Sequence, residues 1–139
     1  MFGRFDHVGM IVHDLDFATS HARESFGLEV ARTGAIAQFD IDAVFLGAGF
    51  GSLELFLFTD PELQAIRLEG ATQRLDHVAF EVDDLDALAA TLRATGVRFT
   101  GPDRREELAE PFVLGTARNL WTRPETSSGL ALQLIERAH

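Results

Sequence analysis

The stretch FDHVGMIVHDLD at 5–16 returns as LDHVAFEVDDLD at 75–86, identical at seven of twelve positions with an offset of 70 residues, about half of the 139-residue chain. A repeat of this length is one supersecondary unit, and a unit this small cannot bury its sheet face alone. Both copies run on into a helix-like stretch that ends at glycine, Phe17 to Gly27 and Ala87 to Gly96, then into extended sequence. Each half finishes in an alternating strand, GSLELFLF and GLALQLIE. The expectation is one domain over 1–139, built of two units of strand, helix and about three more strands, one about 1–70 and the other about 71–139. Their sheets pair into one curved surface, and the cleft between them is the natural binding site.

Local signals support the helices. Asp14 or Asp16, and Asp84 or Asp86, can accept the unpaired N–H groups of a first turn, and Gly27 and Gly96 stand where a left-handed residue ends a helix. Leu85, Leu88, Ala89 and Leu92 recur at helical spacing and make one buried stripe. The segment 101–118, GPDRREELAEPFVLGTAR, is dense in charge and holds two of the four prolines, so it reads as a loop or lid.

Composition narrows the chemistry. A hydrophobic share of 46% with no run of 18 apolar residues excludes a membrane-spanning helix. No basic segment leads into an apolar one at the start, so no secretory signal is read and the expected location is the cytoplasm. With no cysteine there is no thiolate nucleophile and no sulfur ligand, and with all 12 basic residues arginine there is no lysine base or Schiff-base lysine. Tyrosine is absent too. Acid–base and metal chemistry therefore fall to histidine, carboxylates and amides. The net charge of -10 argues against a nucleic-acid partner, whose affinity is drawn from clustered cations.

Side chains alternate between the faces of a strand, so Phe5, His7, Gly9 and Ile11 share one face, and Leu75, His77 and Ala79 share the equivalent face of the repeat. His7 and His77 correspond. In the closing strands Ser52, Glu54 and Phe56 oppose Leu53, Leu55 and Leu57, while Ala131, Gln133 and Ile135 oppose Leu130, Leu132 and Leu134, so Glu54 and Gln133 correspond as well. Four polar groups inside apolar strands, related pairwise by the repeat, converge near the axis between the units. Two imidazoles, a carboxylate and an amide oxygen suit one divalent ion of Co, Ni, Zn, Mn or Fe, with positions left for water or substrate.

These residues resemble the vicinal oxygen chelate superfamily, which includes glyoxalase I, methylmalonyl-CoA epimerases, extradiol dioxygenases and bleomycin-resistance proteins. The likeness covers nearly the whole chain, and LDHVAFEVDDLDALAATLRATGVRF (75–99) and LGTARNLWTRPETSSGLALQL (114–134) are most similar to the methylmalonyl-CoA epimerase branch. It implies an α+β fold of paired βαβββ modules with a mixed sheet, metal ligands at His7, Glu54, His77 and Gln133, and a homodimer. Two positions depart from that branch. Gln133 stands where its last-strand ligand is Glu, and an amide cannot take up a proton. Ala43 stands where the bacterial enzymes carry a glutamate base, with Asp40 and Asp42 beside it.

The function expected is a metal-dependent isomerase or epimerase that works through an enolate on a carbonyl or acyl-CoA substrate. Glu54 is the first candidate base, and Asp42 and Glu81 are the candidates for a second. Arg118 and Arg123, near Arg104 and Arg105, carry forked donors that can grip a phosphate or carboxylate of a CoA ester, although Glu106 and Glu107 offer Arg104 and Arg105 partners nearby. Three alternatives share the same residues. A glyoxalase I-type lyase would need a hemithioacetal, a bleomycin-resistance-type binding protein would use the acidic cleft for a cationic compound, and an extradiol dioxygenase would hold iron. The sequence GAGFG at 47–51 imitates a dinucleotide fingerprint but lies between two strands, where a hairpin turn is expected.

Overall fold

Alternating apolar residues and capped amphipathic stretches build nine strands and three α-helices among the described residues, which are 2–47 and 51–138 of the computed structural model. The chain falls into two compact units. One is His7–Asp76; the other joins the residues up to Asp6 with those from His77 onward. The cuts fall inside two strands, β1 (Phe2–Val12) and β5 (Gln73–Val82), and not in a linker.

The His7–Asp76 unit contains most of β1, then α1 (Leu15–Phe26), β2 (Glu29–Ile36), β3 (Ile41–Gly47), β4 (Ser52–Phe58) and α2 (Pro61–Leu68). Its strands lie in the order β2-β3-β4-β1. β1 runs parallel to β4, and the other pairs are antiparallel. Of the two capping candidates the structure selects Asp14, whose carboxylate accepts the Phe17 N–H, and Gly27 ends α1 at φ 66°. One face of this sheet packs Ile11, Ala43, Phe45 and Phe56 with Leu63 and Leu68 of α2. The other packs Val12, Leu46 and Leu55 against Ala22 of α1. The helix α2 is absent from the sequence reading. Its signals were Asp60 and Pro61: the Asp60 carboxylate accepts the Glu62 and Leu63 N–H groups, and proline fills the first helical position, where no N–H is needed.

The other unit holds the rest of β5, then α3 (Leu85–Ala94), β6 (Phe99–Thr100), β7 (Phe112–Leu114), β8 (Ala117–Thr122) and β9 (Leu132–Arg137). The order is β5-β9-β8-β6, with β7 also on β8 and β5 parallel to β9. Asp84 caps α3, and Leu85, Leu88 and Ala89 are buried with Phe99, Leu120 and Leu134. Phe2 and Phe5 set their rings edge-on to Phe80 at 5.4 and 6.1 Å, which draws the chain's first residues into this unit.

The expectation of a loop or lid over 101–118 needs correction. Phe112–Leu114 and Ala117–Thr122 pair as an antiparallel hairpin around Gly115 at φ 61°, because the apolar residues here outweigh the neighbouring charges. The irregular part before it is tied down. The Arg93 guanidinium donates to the carbonyls of Leu108 and Ala109 at 3.1 and 3.0 Å, and the Thr100 hydroxyl donates to that of Glu106 at 2.6 Å. The turn expected at GAGFG falls on 48–50, outside the described residues.

Candidate metal centre

In the His7–Asp76 unit the parallel register of β1 and β4 sets Gly9 opposite Glu54, two residues beyond His7, and β3 places Phe45 opposite Glu54 on its other side. His7, Glu54 and Phe45 therefore share a face. His7 is 3% exposed and Glu54 8%, both among apolar neighbours. The His7 ring stands edge-on to Phe45 at 5.3 Å, and its Nε2 lies 3.3 Å from Glu54 Oε1. A carboxylate this deep needs a partner, since stranding it without one costs several kcal/mol or shifts it to the neutral form.

The other unit repeats this register. β5 and β9 set Ala79 opposite Gln133, two residues beyond His77, and β8 places Trp121 opposite Gln133. Gln133 is 8% exposed, and its Nε2 donates to Asn119 Oδ1 at 3.0 Å. The equivalence of His7 with His77 and of Glu54 with Gln133 thus holds in the hydrogen-bonded ladders as well as in the letters.

One ligand-capable atom from each of His7, Glu54 and His77 lies within 4.8 Å of the others. Two imidazoles and a carboxylate in an apolar setting form a donor set for a divalent transition ion or zinc. Oxygen and nitrogen ligation of this kind does not select among Co, Ni, Zn, Mn and Fe.

The other expected site residues are placed differently. Asp42 is exposed and pairs across to Leu57, so it stands on the sheet face opposite Glu54. Alternation along β3 puts Ala43 and Phe45 on the face of Glu54 and Asp42 on the face that packs against α1. Glu81 does share the face of His77, but it is occupied. Arg137 and Arg4 reach its Oε2 at 2.9 and 3.3 Å. The Arg137 hydrogen bond, with that of Arg4, outweighs partial burial and holds the Glu81 carboxyl below its ordinary value, which makes it a weaker base.

The two arginines expected to grip substrate are spent inside the protein. Arg118 donates to Glu136 at 2.9 Å and to both oxygens of Asp86 at 2.9 and 3.1 Å, and these hydrogen bonds push its guanidinium pKa up. Glu136 in turn accepts the Leu85 N–H at 2.8 Å, so this ion-pair cluster anchors the start of α3. Arg123 donates to the carbonyls of Arg104 and Arg105 at 3.5 and 3.3 Å, pinning the irregular segment. A cavity of about 560 Å³ in the His7–Asp76 unit, lined by Met10, Phe17, His21, Leu53 and Leu55, opens under α1 on the face opposite His7 and borders none of the candidate ligands.

Residues 6–112 match the Glyoxalase/Bleomycin resistance protein/Dioxygenase superfamily. The chain belongs to this superfamily. Among curated relatives, the mitochondrial methylmalonyl-CoA epimerase of Mus musculus is 28% identical over 98 residues, 69% of this chain and 55% of the mouse protein. That of Homo sapiens is 24% identical over 136 residues, 95% of this chain and 73% of the human protein. The chain thus spans little more than half of the mouse relative. A variant of the Streptomyces coelicolor methylmalonyl-CoA epimerase, solved in complex with 2-nitronate-propionyl-CoA, covers all of both chains at a TM-score of 0.84 and 26% identity. The mixed strands and three helices described above are the α+β architecture of these superfamily members.

Proposed function

We propose that the chain is a metal-dependent isomerase or epimerase of the methylmalonyl-CoA epimerase type, abstracting the proton next to the carbonyl of an acyl-CoA. The observation that carries this reading is the meeting of His7, Glu54 and His77 within 4.8 Å. The acyl-CoA class is supported by the epimerase relatives and by the acyl-CoA analogue bound to the Streptomyces enzyme.

His7, Glu54 and His77, with Gln133 as fourth, are the residues that would hold the ion. Once bound, a divalent cation supplies positive charge that stabilises a carbonyl oxygen becoming negative. The chain's own residues supply the rest. Glu54 is the base we assign, its carboxylate taking the proton from the carbon, because its counterpart Gln133 is an amide and cannot. The buried Phe45 ring, edge-on to His7, gives the site an apolar side that limits water competing for that proton. Inversion requires a second proton carrier, and neither Asp42, on the opposite face, nor Glu81, held by two arginines, suits that role. We also propose a cytoplasmic location and a homodimer; the mammalian relatives carry a mitochondrial designation.

Incubation in D₂O with a branched acyl-CoA and Co²⁺ tests the reaction. The α-hydrogen should exchange, and Glu54→Gln should abolish exchange. No exchange with any thioester, against turnover of a methylglyoxal–thiol adduct, would assign the lyase reading in its place.

A further inference from the structure

Gln133 raises a chemical question that Glu54 does not. Both oxygens of a carboxylate accept, so a glutamate meets a cation whichever way its end is turned. An amide presents oxygen on one side and nitrogen on the other, and only the oxygen is a ligand. Something must choose.

Asn119 is in the right place to choose. It lies on β8, 2% exposed, on the sheet face shared by Trp121 and Gln133. Its Oδ1 accepts the Gln133 Nε2 hydrogen at 3.0 Å, and its own Nδ2 faces the Ala117 carbonyl at 3.4 Å. The Ala117 carbonyl accepts only from the Nδ2 end, so the Oδ1 end is the one offered to Gln133. Turned over, Asn119 would oppose one N–H donor with another. With Nε2 committed to Asn119, Gln133 presents Oε1 away from it.

The internal repeat makes the same point by contrast. Opposite Glu54 on β3 is Phe45, and two residues before it stands Ala43; opposite Gln133 on β8 is Trp121, and two residues before it stands Asn119. The ligand that needs no orientation is matched with alanine. The amide that does need it is matched with a buried amide. We propose, resting on the cation site above, that Asn119 is a positioning residue that turns the carbonyl oxygen of Gln133 toward the metal ion.

The test is a calorimetric Co²⁺ titration of the apo protein, with the Co²⁺ absorption spectrum and far-UV circular dichroism of each sample. Asn119→Leu should weaken Co²⁺ on the order of ten- to a hundred-fold, as loss of a ligand's orienting partner does elsewhere, and should alter the absorption bands. Asn119→Asp keeps an acceptor for Nε2 and should bind close to wild type or more tightly. In a Gln133→Leu background, Asn119→Leu should add nothing, which a merely structural role would not produce. If Asn119→Leu does not fold, Asn119→Ala carries the same expectations. Wild-type affinity in Asn119→Leu, or an equal loss with and without Gln133, overturns the proposal while leaving the metal site standing. Absence of Co²⁺ binding by the wild type overturns both.

Discussion

Arg67 and Asp76 form a deeply buried ion pair, and replacing Arg67 with methionine isolates what it contributes. The side chains are 7% and 5% exposed. Arg67 Nε and Nη2 reach Asp76 Oδ1 at 3.0 and 2.7 Å, and Nη2 reaches Oδ2 at 2.8 Å. The guanidinium also lies 5.0 Å from the Phe58 ring centre. Taking two charges out of water costs several kcal/mol each, which this geometry repays; removing one partner of a buried pair costs about 3–5 kcal/mol. The lost contact with Phe58 adds roughly 0.5–1 kcal/mol. At about 3 °C per kcal/mol for a chain of this length, Arg67→Met should lower the thermal midpoint by roughly 10–18 °C in far-UV circular dichroism. Arg67→Met with Asp76→Leu should recover most of that loss, since neither charge of the pair then remains. A single variant within about 1 kcal/mol of wild type would refute the reasoning, and so would a double variant no better than the single one.

Gly3 is a second sensitive position: an added Cβ would stand 2.8 Å from the backbone oxygen of Glu81, so Gly3→Ala should cost about 1–3 kcal/mol in urea unfolding. A neutral effect would mean that β1 shifts freely. The ion pairs around Glu81 predict a pH dependence. Its carboxyl is held below the ordinary value of 4.5, so the stabilisation is present above that value and is lost as pH falls through the lower folded-state value. Arg137→Gln should flatten this acid limb of the stability profile, and an unchanged limb would remove Glu81 from the account.

The repeat made the architecture and the four candidate ligand positions legible, because a constant offset aligns His7 with His77 and the strand alternation aligns Glu54 with Gln133. What the letters concealed was occupancy. Arg118 and Arg123 look like free cations in sequence, yet their acceptors are Asp86, Glu136 and two backbone carbonyls, the first of them 32 residues away. Glu81 looks like a base until Arg137 and Arg4 close on it. The shared run DLD, at 14–16 and 84–86, offers two capping aspartates at each helix; geometry assigns Asp14 and Asp84 to the caps and leaves Asp86 to hold Arg118. The eight residues of α2 are too few to show a period, although Asp60 and Pro61 announce its start. Asn119 was visible as a polar letter in ARNLWT, but its repeat-mate is Ala43, so the pairing that exposed the candidate ligands could not expose it.

The cation site itself is tested most directly by counting metal. Protein purified without an affinity tag and loaded with Co²⁺ should carry one ion per chain, and His77→Ala, folded by circular dichroism, should carry none after the same desalting. Equal metal in the two proteins would contradict the site on which the proposed chemistry depends.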